Sequence, residues 1–238
     1  MSRKLVYILL PIRCVIFLLV FVVGAAIADR DVSEISSWWS VIDTPVNILT
    51  VLLLVLAAKS SGQTYKELIN YQRGVTTRKQ VILVTLVILL MGMGGMFLAG
   101  FLCYGVIPYA APMIIAPIPK ALALINIPLL PVTTALAEDG LYLGLGVNGI
   151  RNKQAAVLVP AFFFAVQHCF IPTLFEPRYL IYRFISFLPL TLILCRHYQK
   201  HRNPLPIMIG HAIIDVATVM QIFATSFIPG FYDKMCNM

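Results

Sequence analysis

Residues 132–147 read VTTALAEDGLYLGLGV. The stretch is apolar enough for a membrane-spanning helix, yet two adjacent acids, Glu138 and Asp139, sit near its middle. An ionised side chain at bilayer depth costs several kcal/mol, so it is kept for function or paired internally. Outward from this stretch, the next apolar segment carries His168, and the last carries His211 and Asp215. Five ionisable residues on three apolar segments point to one polar site inside an all-α, polytopic transmembrane bundle of about seven helices, within a range of six to eight.

The composition agrees. Of 238 residues, 60% are hydrophobic and 12% charged, whereas soluble domains carry about a quarter charged residues. The formal net charge of +8 does not indicate nucleic-acid binding, because the cations fall in short loops between apolar runs and no aromatic-interleaved basic patch exists. The five cysteines, Cys14, Cys103, Cys169, Cys195 and Cys236, are scattered and form no CxxC pair. They read as small apolar residues.

Spans are expected at about 5–27, 42–58, 81–105, 122–150, 154–170, 179–195 and 204–230, each near the length needed for a ~30 Å hydrocarbon core. The start, Met1-Ser2-Arg3-Lys4 before an apolar run, resembles a signal peptide, with Ala26-Ile27-Ala28 as a cleavage site. The run is long for such a segment and contains Arg13, so a retained first helix is expected. Loop 28–43 is acidic, with Asp43 at its end. Loop 59–80 and the loops around Arg151 and Arg196–Arg202 are basic. Alternate basic loops place the N-terminus in the cytoplasm.

A short amphipathic helix is expected within 59–80, with Tyr65, Leu68 and Ile69 on its apolar side. Segment 106–131 holds Pro108, Pro112, Pro117, Pro119, Pro128 and Pro131, which speaks against a regular helix there and for a cap or re-entrant segment. Trp38, Trp39 and Tyr109 are expected at the outer interface. Arg183 and Lys120 are expected to be interfacial, and His197 and His201 solvated. No internal repeat or linker divides the chain, so 1–238 reads as one integral membrane domain.

Depth ties the polar residues together. By helical rise Glu138 stands ~18 Å from the basic loop at Arg151, His168 ~21 Å from the same loop, and His211 and Asp215 ~10–17 Å beyond Pro204. His211 and Asp215 are i, i+4 neighbours. Phe164 stands i, i+4 from His168, and Gly140 and Gly144 form a small-xxx-small pair that admits a close neighbour. HExxH, GxSG and GxGD motifs are absent.

The remaining pattern resembles the CAAX protease and bacteriocin-processing family of intramembrane proteases. Glu138-Asp139-Gly140-Leu141-Tyr142-Leu143 is similar to its EExxxR motif, Phe164 to His168 to its FxxxH, and His211 to Asp215 to its HxxxN or HxxxD. The family-like core covers about 122–230. Two positions depart from the pattern: Asp139 stands where the family usually has Glu, and Leu143 stands at the Arg position. On the reading that an Arg there would pair with Asp139, Asp139 is left unpaired and neutral, or paired elsewhere with Arg151, Arg183 or a metal.

The resemblance implies an endopeptidase in which Glu138 activates a water, His168 positions it, and His211 and Asp215 hold the oxyanion or orient the water, with Asp139 beside them. No cofactor is required on this reading. The alternative is a metalloprotease with Zn²⁺ on Glu138, His168 and His211. The implied partners are the lipid bilayer and a peptide or membrane-protein substrate. The implied location is a cell membrane, multi-pass, bacterial by resemblance. Two other readings stay open: a non-catalytic immunity or regulatory protein, as in bacteriocin immunity, that binds a partner in the same cavity, and a proton-coupled transporter that uses the same residues as a relay.

Overall fold

The structure, a computed structural model, describes residues 3–107, 109 and 111–236. Met1 and Ser2 of the basic start, and Pro108 of the proline-rich segment, lie outside the described residues. The chain forms α1 (Arg3–Leu9), α2 (Ile12–Ala28), α3 (Val32–Ser36), α4 (Trp39–Lys59), α5 (Tyr65–Leu68) and α6 (Arg78–Tyr104). They are followed by α7 (Lys120–Thr134), α8 (Ala155–Gln167), α9 (Pro177–His201), α10 (Leu205–Phe227) and α11 (Phe231–Cys236).

Local sequence accounts for the boundaries. At the start of α6, Thr77 and Gln80 form a capping box, each side chain bonding the other's backbone N–H, which satisfies two donors the helix itself leaves free. The helix stops at Gly105, whose φ of 72° an L side chain rarely adopts. Thr64 and Glu67 cap the short α5 in the same way. Along α6 the row Ile82, Leu86, Leu90, Met93, Phe97 and Phe101 is exposed. An apolar helix side left open in this way suits hydrocarbon, where every backbone group is already bonded within the helix.

Six of the seven expected spans fall on helical stretches that, among the described residues, are long and apolar enough to cross a membrane: Lys4–Ala28, Trp39–Lys59, Arg78–Tyr104, Lys120–Val147, Pro177–His201 and Leu205–Phe227. The protein is a multi-pass membrane protein with an all-helical bundle. The expected fifth span differs. Helix α8 has 13 residues, ~20 Å by helical rise, and ends at His168, from which the chain continues through an isolated bridge between Phe170 and Thr173.

The proline-rich segment also differs from expectation. Pro112–Ile115 is a 3-10 turn, but α7 runs as a regular helix through Pro128 and Pro131. Each proline removes one donor. Immediately after the second, the helix widens into an i→i+5 π-helix over Ala135–Val147. π segments are rare and concentrate at functional sites. Twelve of these 13 residues are buried, and Glu138 and Asp139 lie on this widened segment.

Candidate active site

The site is built on the π segment, on the end of α8, and on α10. In the π-helix residue 143 bonds back to residue 138 rather than 139. Leu143, one turn beyond Asp139, is wholly buried in the apolar core and offers it no cation. The cation that meets these acids comes from the first helix. Arg13, with no exposed surface, donates from Nη2 to Glu138 Oε1 at 3.0 Å and to Asp43 Oδ1 at 3.4 Å. It also donates from Nη1 to Thr50 Oγ1 at 3.1 Å and from Nε to Gln167 Oε1 at 2.8 Å. Tyr142 donates to the same Gln167 oxygen at 2.9 Å. Every nitrogen of the guanidinium has a partner, the condition under which a buried charge is tolerated.

Glu138 thus has one oxygen held and one bare. Its Oε2 is buried without a hydrogen-bond partner and faces His211 Nε2 at 3.7 Å and His168 Nε2 at 3.9 Å. Both separations are too long for a direct hydrogen bond, but each is within the span of one bridging water. His168 Nδ1 lies 2.7 Å from the Phe164 carbonyl. A carbonyl only accepts, so Nδ1 carries a proton and Nε2 is left toward Glu138. The His168 ring is clamped between Phe164 and Phe187, stacking on the latter at 3.6 Å between centroids.

His211 Nδ1 lies 3.3 Å from Asp139 Oδ1, and its Nε2 lies 3.8 Å from Asp215 Oδ2. Asp139 therefore has a partner. It is the imidazole of His211, and neither Arg151 nor Arg183 supplies it. All five sequence-derived residues, Glu138, Asp139, His168, His211 and Asp215, meet at one place. Four of them, Glu138, His168, His211 and Asp215, line a cavity of about 140 Å³ that also touches Asp43, Thr134 and Arg183 and extends to Trp39, Ile114 and Pro172, with Asp139 behind His211.

Several expectations are corrected here. Asp43 is not a loop acid: it sits inside α4, 3% exposed, because that helix begins at Trp39, ahead of the apolar run. Arg183 is not interfacial. Buried at 6% exposure, it donates to the carbonyls of His168 (2.9 Å) and Ile171 (2.7 Å), acceptors left free where α8 stops inside the bundle. Trp39 is buried and donates to the Ile114 carbonyl at 3.1 Å. The close neighbour admitted by Gly140 and Gly144 is largely the α5 region: a Cβ on Gly140 would fall 2.6 Å from Tyr65 Oη, and one on Gly144 2.8 Å from Ile69 Cγ2.

The residues do not fit a zinc ion as they stand. Zinc holds N and O donors at about 2.0–2.2 Å, and among the described residues no group of three His, Cys, Asp or Glu side chains is arranged to hold a metal ion. Glu138 Oε2 stands 3.7 and 3.9 Å from the two imidazole nitrogens, while its Oε1 is bonded to Arg13.

Residues 120–217 match a family model described as type II CAAX prenyl endopeptidase Rce1-like. This part of the chain is thus similar to the Rce1-like family. The resemblance read from the three motifs is borne out, and the match supports a CAAX-protease-like intramembrane endopeptidase acting on a peptide or protein in a bilayer. Arg13, Asp43 and the rest of the first two spans lie outside the matched region. No curated protein and no solved structure gives a significant match to the chain.

Proposed function

We propose that this protein hydrolyses a peptide bond inside the membrane with a water activated by Glu138. The observation that carries the reading is the split environment of the Glu138 carboxylate: Oε1 is fixed by Arg13, while Oε2 is bare and faces two imidazole nitrogens across the width of one water. Arg13 offsets the penalty of keeping that carboxylate away from water. Oε2 takes a proton from the water, while the unprotonated Nε2 of His168 accepts its second hydrogen and fixes its direction. The oxygen attacks the peptide carbonyl carbon.

Flanked by Asp139 and Asp215, the His211 ring can carry a proton on each nitrogen, and its Nε2–H then faces the developing oxyanion. A donor fixed in advance in a water-poor cavity acts where charge appears. When the C–N bond breaks, the proton held by Glu138 passes to the leaving amine, and the carboxylate is restored. No step requires a metal. Asp43 and Gln167 act through Arg13 as positioning residues.

The basic loops support a cytoplasmic N-terminus, and the resemblance supports a bacterial plasma membrane. The test compares protein termini in membranes of cells producing wild-type protein or Glu138→Gln. Membrane-proximal termini present only with the wild type are expected. Identical termini, with any physiological effect retained by Glu138→Gln, would favour the non-catalytic binding protein.

A further inference from the structure

A second cavity of about 460 Å³ lies at the opposite end of the α8–α9 pair, where α8 begins and α9 ends. Five cations, Arg151, Lys153, Arg196, Lys200 and Arg202, line it, together with Gln199 and apolar residues but without a carboxylate. None of the five is ion-paired among the described residues. Two are tethered by neutral groups instead, Arg196 to Gln199 Oε1 and Arg202 to Asn148 Oδ1. Gln199 in turn bonds the Lys153 carbonyl at 2.6 Å. Cations gathered around one space repel each other unless an anion enters it.

An apolar crevice adjoins this cavity. Val157, Leu192 and Ile193 line it together with His197 and His201, and Arg196 and Lys200 belong to both hollows. A cationic basin thus shares its rim with a shallow, mostly apolar hollow near the end of α9. It is separate from the site around Glu138: along α9, Arg196 stands about 14 Å from Phe187 by helical rise.

We propose that this paired basin and crevice binds an anionic phospholipid, with the phosphate of its headgroup among the five cations and an acyl chain along Val157, Leu192 and Ile193. The charge excess selects a net-negative headgroup over a zwitterionic one, and the crevice distinguishes a lipid from a free phosphate. Basic pockets between helices at a membrane face bind lipid headgroups on this principle.

The test is native mass spectrometry of the full chain in detergent, titrated with phosphatidylglycerol, phosphatidylcholine or glycerol 3-phosphate. Phosphatidylglycerol is expected to stay bound and the other two to be lost. Arg196→Gln with Lys200→Gln removes the two shared cations, both exposed, and is expected to weaken phosphatidylglycerol about thirtyfold, at ~1 kcal/mol per cation. Arg73→Gln with Lys79→Gln removes equal charge from another basic loop and is expected to change binding little. Ile193→Trp fills the crevice at constant charge and is expected to weaken binding as well. Equal loss from both charge pairs would reduce the site to general surface charge, and glycerol 3-phosphate displacing the lipid as well as the lipid itself does would remove the crevice from it. Either result overturns the proposal.

Discussion

Arg13 and Glu138 stand 125 positions apart and meet at 3.0 Å, both almost wholly buried. The first span thereby supplies the counter-charge that the EExxxR pattern would place at position 143. Breaking a buried ion pair from one side leaves an uncompensated charge, at about 3–5 kcal/mol. Arg13→Met is therefore expected to lower the thermal unfolding midpoint in detergent sharply and to abolish cleavage. Asp43→Asn added to Arg13→Met should recover part of the stability, because one fewer carboxylate is then unpaired. A midpoint unchanged by Arg13→Met would show that the guanidinium does not neutralise these acids.

Asp139 and Glu138 should separate by mutation. Glu138→Gln removes the base, and a loss of roughly 10²–10⁴-fold in turnover is expected. Asp139→Asn keeps an oxygen that accepts from His211 Nδ1–H and loses only the charge, so its activity should fall between wild type and Glu138→Gln. Equal inactivity of the two variants would mean that both acids take part in proton transfer.

Arg183 closes the end of α8. Arg183→Met leaves the carbonyls of His168 and Ile171 without their donor, and each unsatisfied buried group costs about 1–3 kcal/mol. Amide hydrogen exchange over residues 168–173 should quicken, and turnover should fall as His168 loses its fixed position. Unchanged exchange in that stretch would argue that the stacking of Phe187 on His168 suffices.

Exhaustive chelation should leave peptide cleavage intact, since the proposed hydrolysis uses Glu138 as the base with Arg13 as its counter-charge. Complete loss of activity that Zn²⁺ restores would show that the site rearranges around a metal.

Much of this site was legible in sequence because acids and histidines inside apolar runs are few, and helical rise sets their depth. What stayed hidden was pairing across distant segments. Arg13 stood out only as an oddity in a signal-like run. Its signal was available, since a cation inside a span requires an acid at matching depth, but sequence offers several acids and no distances. Asp43 lies where the acidic loop 28–43 and the span 42–58 overlap, so the sequence alone does not place it inside the helix. Arg183 looked interfacial because an ordinary helix would have carried residues 168–170 on through the membrane. The early end of α8 is a tertiary outcome, fixed by contacts with α9 that no local pattern announces. The π-helix was invisible because its residues suit an α-helix equally well.

The Arg13 pair also sets an order of events during synthesis. Arg13 enters the bilayer before Glu138 has been made, and at translation rates of about 5–20 residues per second that interval is roughly 6–25 s. Asp43 is the first of its two acidic partners to emerge, 30 positions behind Arg13. The first two spans therefore carry a neutralising acid of their own before Glu138 is made.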